Sequence, residues 1–298
     1  MRVIITGSDG FIGSHLTREL QDAGHPVAGL DIKNGEDVRK PDVVREAIQG
    51  HRADVLVHLA SARGDDVMET ARDNVGMTSV VAEVCGETGV RLVYLSTAEI
   101  YGMAGLSVCD EYEGPFLLPE NILALNKFWG ESAGRLLARD EFTALRLAQT
   151  YGPGKLAVEG ELGNDEITDL LWRASHGKPI AVPANAERSW IYIYDAVRAI
   201  RLAIERGGDI YNIGVDGDKP TMLEAASIAC GLVGADTGLI EEFRAPPMIA
   251  SRLSTQRIRR LGWEPGVTLY EGMKHTLEAW VTSLDGEGKL TVELEPVA

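Results

Sequence analysis

Along the N-terminal half of the chain, short continuous apolar runs alternate with longer stretches whose apolar residues recur at helical spacing. Val3-Ile4-Ile5 is long enough for a buried strand and is rich in β-branched residues. Val27 to Asp31, Asp54 to Leu59, Arg91 to Thr97 and Phe142 to Thr150 predict further strands. Between them, helices are predicted over Phe11 to Leu20, Pro41 to Gln49, Asp66 to Thr88 and Asn121 to Arg139. The second of these starts on proline, and the third reads as one long or broken helix. Strands that alternate strictly with helices describe an α/β fold, a doubly wound parallel sheet with right-handed crossovers and its ligand at the strand C-termini. The alternation loosens after Tyr151 to Gly154. Smaller helices are expected at Asp165–His176, Asp195–Glu205, Thr221–Gly231 and Thr268–Trp280, with short strands near Pro179–Val182 and Ile210–Ile213. The last residues, Lys289 to Pro296, alternate weakly, as an edge strand or a tail. This division predicts a sheet domain over residues 1–153 and a smaller α/β substrate lobe over 154–298, interleaved as one compact unit.

The join between the first strand and the first helix carries Gly7, Gly10 and Gly13, spaced G-x-x-G-x-x-G. Glycine tolerates positive φ there and lets a pyrophosphate approach the backbone, and the helix that opens offers free N–H groups and the positive end of its dipole. A glycine triplet alone fits any strand-to-helix turn. The second strand, however, ends in Asp31, where a carboxylate accepts both ribose hydroxyls and repels a 2′-phosphate. Strand, glycine loop, helix, strand and acid in that order predict NAD-type dinucleotide binding on a Rossmann sheet.

Composition narrows the remaining classes. The chain has 298 residues, is 45% hydrophobic and carries a net charge of −16, which disfavours nucleic acid and anionic membranes as partners. No apolar run approaches the roughly 20 residues of a membrane span, and the first strand starts too early for a signal peptide. Cys85, Cys109 and Cys230 lack metal or disulfide spacing, and none of the six histidines has ligand spacing, so a reducing cytoplasm and no metal are expected.

From the glycine motif at Gly7 to Gly13, through Ser96 to Gly102 and Asn126 to Glu131, to Leu261 to Pro265, segments in order resemble the extended short-chain dehydrogenase/reductase family, the NAD-dependent sugar-nucleotide epimerases and dehydratases. Beside the glycine motif, whose Phe11 and Ile12 lie within it, Asp37-Val38 resembles the pair that brackets the adenine. His58-Leu59-Ala60-Ser61 is similar to the H-x-A-[AG] segment beside the cofactor, and Asn74 to the asparagine that begins the next helix. Ser96 to Gly102 resembles S-[ST]-x-x-V-Y-G, which makes Thr97 the active-site hydroxyl, and Asn126 to Glu131 resembles the end of Y-x-x-S-K-x-x-x-E, which makes Lys127 the lysine that holds the nicotinamide ribose. Leu145 to Pro153 resembles R-x-x-N-x-Y-G-P with Gln149 for asparagine, Arg188 to Asp195 resembles R-D-[FW]-I-x-V-x-D, whose arginine contacts the nucleotide diphosphate, and Leu261 to Pro265 closes the match. The resemblance implies an NAD cofactor, a nucleotide-sugar substrate bound by Gln149 and Arg188, and a homodimer built from the helices that begin near Asn74 and Asn121. Blander readings stand beside these roles: Thr97 as a turn cap, Lys127 as a surface lysine, Arg188 as an arginine flanking a strand.

One departure matters. The family's tyrosine, four residues before the lysine on the same helical face, corresponds here to Leu123, which cannot exchange a proton. Two other Tyr-x-x-x-Lys matches are decoys: Tyr151…Lys155 spans a Gly-Pro-Gly turn, and Tyr270…Lys274 lies on the last expected helix. Glu99 stands where related dehydratases and decarboxylases carry a glutamate that works near the sugar C5, although Ala98 replaces the neighbouring acid; a solvated loop glutamate is the plain alternative. Glu99, Tyr112, Cys109 or a bound water are the alternatives for the missing acid/base. Two functions follow: an epimerase- or dehydratase-type enzyme that oxidises its sugar transiently and returns the hydride, or a binding protein that has lost catalysis and serves a regulatory or partner role.

Overall fold

The computed structural model describes residues 1–62, 64–102, 108–112, 117, 119–138, 142–154, 166–216, 219–245, 252–279, 281–284 and 290–293. The chain opens with Val3–Thr6 (β1), Phe11–Asp22 (α1), Val27–Leu30 (β2), Pro41–His51 (α2), Val55–His58 (β3), Val67–Thr88 (α3) and Arg91–Thr97 (β4). Val108–Cys109 (β5), Ile122–Leu137 (α4), Phe142–Leu147 (β6) and Gln149–Tyr151 (β7) follow. The second half holds Glu166–Ser175 (α5), Ile180–Pro183 (β8), Trp190–Tyr192 (β9), Ile193–Arg206 (α6), Ile210–Ile213 (β10), Met222–Val233 (α7) and Ile240–Phe243 (β11). Arg252–Leu253 (β12), Gln256–Arg260 (α8), Leu269–Glu278 (α9) and an antiparallel hairpin of Val281–Leu284 (β13) with Leu290–Glu293 (β14) complete it. The expected boundaries at Arg139, Asp165, Trp280, Lys289 and Pro296, and Lys155 of the discounted Tyr-x-x-x-Lys match, lie outside the described residues.

Six strands form the central sheet in the order β10-β6-β4-β3-β1-β2, every neighbouring pair parallel. The order reverses at β1, which lies between β2 and β3 and so makes the crevice where such sheets bind their ligands. The strands are mostly apolar, as expected where helices cover both faces of a parallel sheet. Val3, Ile5, Val55, Val57, Leu145 and Leu147 pack on one side with α1 and α6, while Ile4, Leu56, Leu92 and Ala144 pack on the other with α2 and α3. The first of these cores continues into Ile167, Leu171, Ile180, Val182 and Ala225 of the later elements.

Two expectations change. Ile210–Ile213, expected in the smaller lobe, pairs with β6 and completes the central sheet, because a four-residue run buried on both sides needs a parallel neighbour that only the sheet edge offers. The single strand expected over Phe142 to Thr150 divides at Ala148. There the Ala148 N–H reaches Ile213 in β10 while the Gln149 N–H turns to Ser189, so β7 leaves the sheet to pair with β9. The helix after Asp66 is unbroken; Asp66 caps it by accepting from the Met68 and Glu69 N–H groups.

Candidate active site

β1 runs into Gly7, whose φ of +71° is the left-handed region. A Cβ on Gly7 would lie 2.9 Å from the Ala60 backbone, and one on Gly13 would lie 2.1 Å from the Gly7 carbonyl oxygen, so neither position admits a larger residue without moving the loop. Gly10 is the residue before α1; no side chain caps the helix and its first turn carries no acid. The positive end of the helix dipole therefore faces the loop, which suits a pyrophosphate. Phe11 and Ile12 are half-buried and pack against the larger core.

Asp31 stands beyond the end of β2 and is 7% exposed. One carboxylate oxygen accepts from the Asp9 N–H at 3.0 Å and the other from the Lys33 N–H at 3.0 Å. Glu36 accepts from the Asp31 N–H at 3.1 Å, so three acids, Asp9, Asp31 and Glu36, gather at the strand end. A vicinal diol finds acceptors there, and a phosphate monoester finds negative charge. Asp37 gives its carboxylate to Arg39 at 2.9 Å, which holds that carboxyl below its ordinary range, and Arg39 continues to Asp73 at 2.8 Å. The neighbouring Val38 side chain is buried in the second core.

The segment after β3 is tied down from two sides. Thr6 Oγ1 accepts from the Ala60 N–H at 3.2 Å, and Asn74 Oδ1 accepts from the Ala62 N–H at 2.8 Å and the Ser61 hydroxyl at 3.2 Å. Asn74 does not begin its helix; it lies well inside α3, because Asp66 starts the helix two turns earlier. Leu59 is half-buried against the larger core. His58 is buried between Thr6 and Thr78, at 2.7 and 3.2 Å, and stacks on Tyr94. Burial, then the nearby Lys127 charge, push its imidazole down to about 3, so it is neutral and structural.

At the C-terminal end of β4, Thr97 Oγ1 accepts from the Glu99 N–H at 3.2 Å and caps a short 3₁₀ turn, Ala98–Tyr101. The cap is the plain reading of Thr97, and it leaves the hydroxyl proton available. Glu99 is exposed, and its carboxylate accepts from Asn121 Nδ2 at 2.8 Å. Asn121 Oδ1 in turn accepts from the Ala124 N–H at 2.8 Å and caps α4. Lys127 follows on that helix with its ammonium 5.1 Å from the Tyr94 ring centroid. Leu123, one turn earlier, is 44% exposed.

Three other tyrosines have partners or places elsewhere in the fold. Tyr101 is buried, donating to Asn212 Oδ1 at 2.8 Å and accepting from Arg146 at 2.8 Å. Tyr112 donates to the Asp209 carboxylate just before β10, at the edge opposite the strand C-termini, and so leaves the set of replacement acids. Cys109 is fully buried in β5 with its carbonyl bonded to Asn212, and leaves it too. Tyr270 lies on α9, whose Lys274 pairs with Glu278.

β7 pairs with β9 in the register Gln149↔Trp190, and the Gln149 N–H donates to the carbonyl of Ser189, the residue after Arg188. Arg188 Nε donates to both carboxylate oxygens of Glu166, at 2.8 and 2.9 Å, and Nη1 donates to the Glu187 carbonyl at 3.2 Å. Its backbone N–H reaches Pro220, next to Lys219. Burial, with Arg252 adding, pushes the half-buried Lys219 ammonium down to about 8 against the pull of Cys109 and Glu187.

Residues 3–214 match the model of the NAD dependent epimerase/dehydratase family. The chain belongs to that family. It is 30% identical to a UDP-glucose 4-epimerase of Mycolicibacterium smegmatis, covering 93% of this chain and 98% of the relative. A trifunctional UDP-glucose 4,6-dehydratase/UDP-4-keto-6-deoxy-D-glucose 3,5-epimerase/UDP-4-keto-L-rhamnose-reductase of Arabidopsis thaliana is 24% identical over 99% of this chain; the chain spans about half, 49%, of that relative's length. Among solved structures, UDP-glucose 4-epimerase of Thermus thermophilus in complex with NAD superposes with a TM-score of 0.76 at 26% identity, covering 93% of this chain and 98% of that one.

NAD is the cofactor of the NAD-dependent epimerase/dehydratase family, and the loop after β1 with the acid after β2 fits it. One feature of this family member had no signal at the level of single motifs. Arg146 and Glu131, 3% and 5% exposed, form a buried pair at 2.8 Å. Arg146 also holds Tyr101, which reaches Asn212, whose N–H donates to buried Glu111 at 2.7 Å. Arg146 and Glu131 both stand in quoted motifs, but their pairing depends on α4 crossing β6. Among the described residues no cluster of histidine, cysteine and acidic side chains could hold a metal, and no helix is long and apolar enough to cross a membrane.

Proposed function

We propose that the chain is an NAD-dependent enzyme of epimerase or dehydratase type acting on a nucleotide-activated sugar, with Leu123 at the family's tyrosine position and Glu99 as its acid/base. The observation that carries this reading is the hydrogen bond from Asn121 to Glu99, which draws a carboxylate to the N-terminus of the helix bearing Leu123 and Lys127. Bound NAD supplies a reversible hydride acceptor. Gly7, Gly10, Phe11, Ile12 and Gly13 hold its pyrophosphate, Asp31 its adenosine ribose, Asp37 and Val38 its adenine, Leu59 to Ser61 and Asn74 its flank, and Lys127 its nicotinamide ribose. Thr97 orients the sugar, Gln149 and Arg188 bind the nucleotide, and Glu99 moves the proton. Residues 1–153 carry the cofactor and 154–298 complete the substrate cleft, with β10 returned to the sheet.

Exposed Leu125, Trp129 and Leu136 lie along one side of α4, which packs beside α3. This stripe supports a homodimer through these helices. The buried thiols Cys85, Cys109 and Cys230 support a cytoplasmic setting.

The test incubates the protein with NAD and a panel of UDP- and dTDP-sugars in D₂O and reads the products by mass spectrometry. Turnover of one of them with deuterium entering the sugar is expected, and Glu99→Gln lowers that turnover by about 10²–10⁴ with little change in affinity. A Glu99→Gln variant that matches the parent shows Glu99 to be a solvated loop residue. The exposed leucine at position 123 favours the second reading, a nucleotide-sugar-binding protein without catalysis; tight binding with no turnover of any sugar would establish it.

A further inference from the structure

The ion pair between Glu166 and Arg188 has a consequence for substrate affinity, and it rests on the reading of Arg188 as the diphosphate contact. Arg188 is 16% exposed and Glu166 is 27% exposed, so the pair is partly desolvated. The Nε–H is shared between both carboxylate oxygens at 2.8 and 2.9 Å, an arrangement a phosphate offers equally well. Glu166 comes to Arg188 from 22 residues away, on the first turn of α5. The other acid of that turn, Asp169, is held by Arg173 at 2.8 Å, so the two acids have separate cationic partners. The chain as a whole carries −16, and Lys219 is the cation that the chain brings next to the Arg188 backbone, through Pro220.

We propose that Glu166 and a nucleoside diphosphate are alternative occupants of the Arg188 guanidinium, which makes Glu166 a determinant of substrate affinity. An incoming diphosphate competes with the carboxylate for the Nε–H, and with both anions held one of the two charges would stay uncompensated. Release does not strand Glu166. It stays in the first turn of α5, where the helix dipole favours a negative charge. The displaced ion pair is subtracted from the binding of the diphosphate, so the affinity is lower than the Arg188 contact alone would allow.

The experiment is calorimetry of full-length protein with UDP as the probe, in the parent, Glu166→Gln, Arg188→Gln and the double variant, with melting temperatures as a check on folding. Glutamine keeps the length and polarity of Glu166 and removes its charge. Glu166→Gln is expected to tighten UDP about 3- to 10-fold, as expected for relief of a partly exposed ion pair. Arg188→Gln is expected to weaken UDP, and the double variant to bind no better than Arg188→Gln alone, because the tightening acts through Arg188. If Arg188→Gln weakens UDP while Glu166→Gln leaves it unchanged or weaker, Glu166 merely positions Arg188 and the proposal is overturned while the diphosphate reading stands. If neither single variant alters UDP binding, the diphosphate reading of Arg188 falls and takes the proposal with it. Glu166→Ala serves as a second charge-removing variant should glutamine lower the melting temperature.

Discussion

Around the glycine loop, polar side chains are satisfied by backbone. Asp31 takes the N–H groups of Asp9 and Lys33, Glu36 takes that of Asp31, and Asn74 takes that of Ala62. Toward the β6–β10 edge of the sheet the partners are side chains brought together from distant segments: Arg146 with Glu131, Tyr101 with Asn212, Arg188 with Glu166. A site held by backbone tolerates loss of one side chain and changes its selectivity. A site of interlocking charges loses stability or affinity when one partner goes, because the other is left buried.

The largest effect expected from this difference is at Glu131. Glu131→Leu leaves the Arg146 guanidinium in the core without its carboxylate and should cost about 3–5 kcal/mol in denaturant unfolding. Replacing both, Glu131→Leu with Arg146→Met, should recover part of that loss, since no buried charge remains. A single variant as stable as the parent would mean that Tyr101 and the Glu111 carbonyl alone suffice for Arg146.

Asp31→Ala probes the other side. It removes charge-assisted hydrogen bonds to a ribose, so NAD affinity should fall about 10- to 100-fold by calorimetry, with the melting temperature of the protein alone little changed. Because Asp9 and Glu36 remain, NADP should still bind no better than NAD. Equal affinity of the parent for both dinucleotides would remove Asp31 as the discriminating group.

The contrast also accounts for what could be read in advance. The glycine loop, Asp31 and the presence of the first five sheet strands lie in short stretches whose periodicity and spacing are local, and they were legible in advance, though not the break of the fifth at Ala148. The sixth strand was legible as a strand but not in its place: Ile210–Ile213 is too short to announce a neighbour, and only the closed sheet shows that it sits beside β6. Asn74 could be picked out, yet not its place inside α3, which depends on the cap at Asp66. Tyr112 and Cys109 look eligible as acids by type alone; pairing with Asp209 and burial against Asn212 exclude them. The Glu166–Arg188 pair joins two segments with no shared motif, so no pattern in the chain points to it.

His58, beside the cofactor loop but held by the hydroxyls of Thr6 and Thr78, gives a smaller effect. Its folded pKa of about 3 lies below the unfolded value of 6.5, so below pH 6.5 only the unfolded chain takes up this proton. The stability it contributes is fully present above pH 6.5 and is lost as the pH falls toward 3. The slope from this one group is at most about 1.4 kcal/mol per pH unit. His58→Gln should flatten the acid limb of a stability-against-pH curve between pH 6 and 4 by about that amount. Parallel limbs in parent and variant would show that the ring takes up its proton in the folded state.

The smallest structural change carries the sharpest functional question. Leu123 is 44% exposed on α4, so Leu123→Tyr should alter stability by no more than about 0.5 kcal/mol. It places a phenol one turn before Lys127, on the same helical face, where a nearby ammonium favours the phenolate. If Leu123 does stand at the tyrosine position, the variant should reduce added NAD in the presence of UDP-glucose, read as slow growth of absorbance at the NADH band, while the parent should not. Adding Glu99→Gln to Leu123→Tyr then separates two proton routes. If the phenol has taken over the 4-hydroxyl proton, the double variant should keep this oxidation; if Glu99 still moves that proton, the signal should vanish. No NADH in Leu123→Tyr, in a protein that binds both NAD and UDP-glucose, would place the family's tyrosine position elsewhere on the chain.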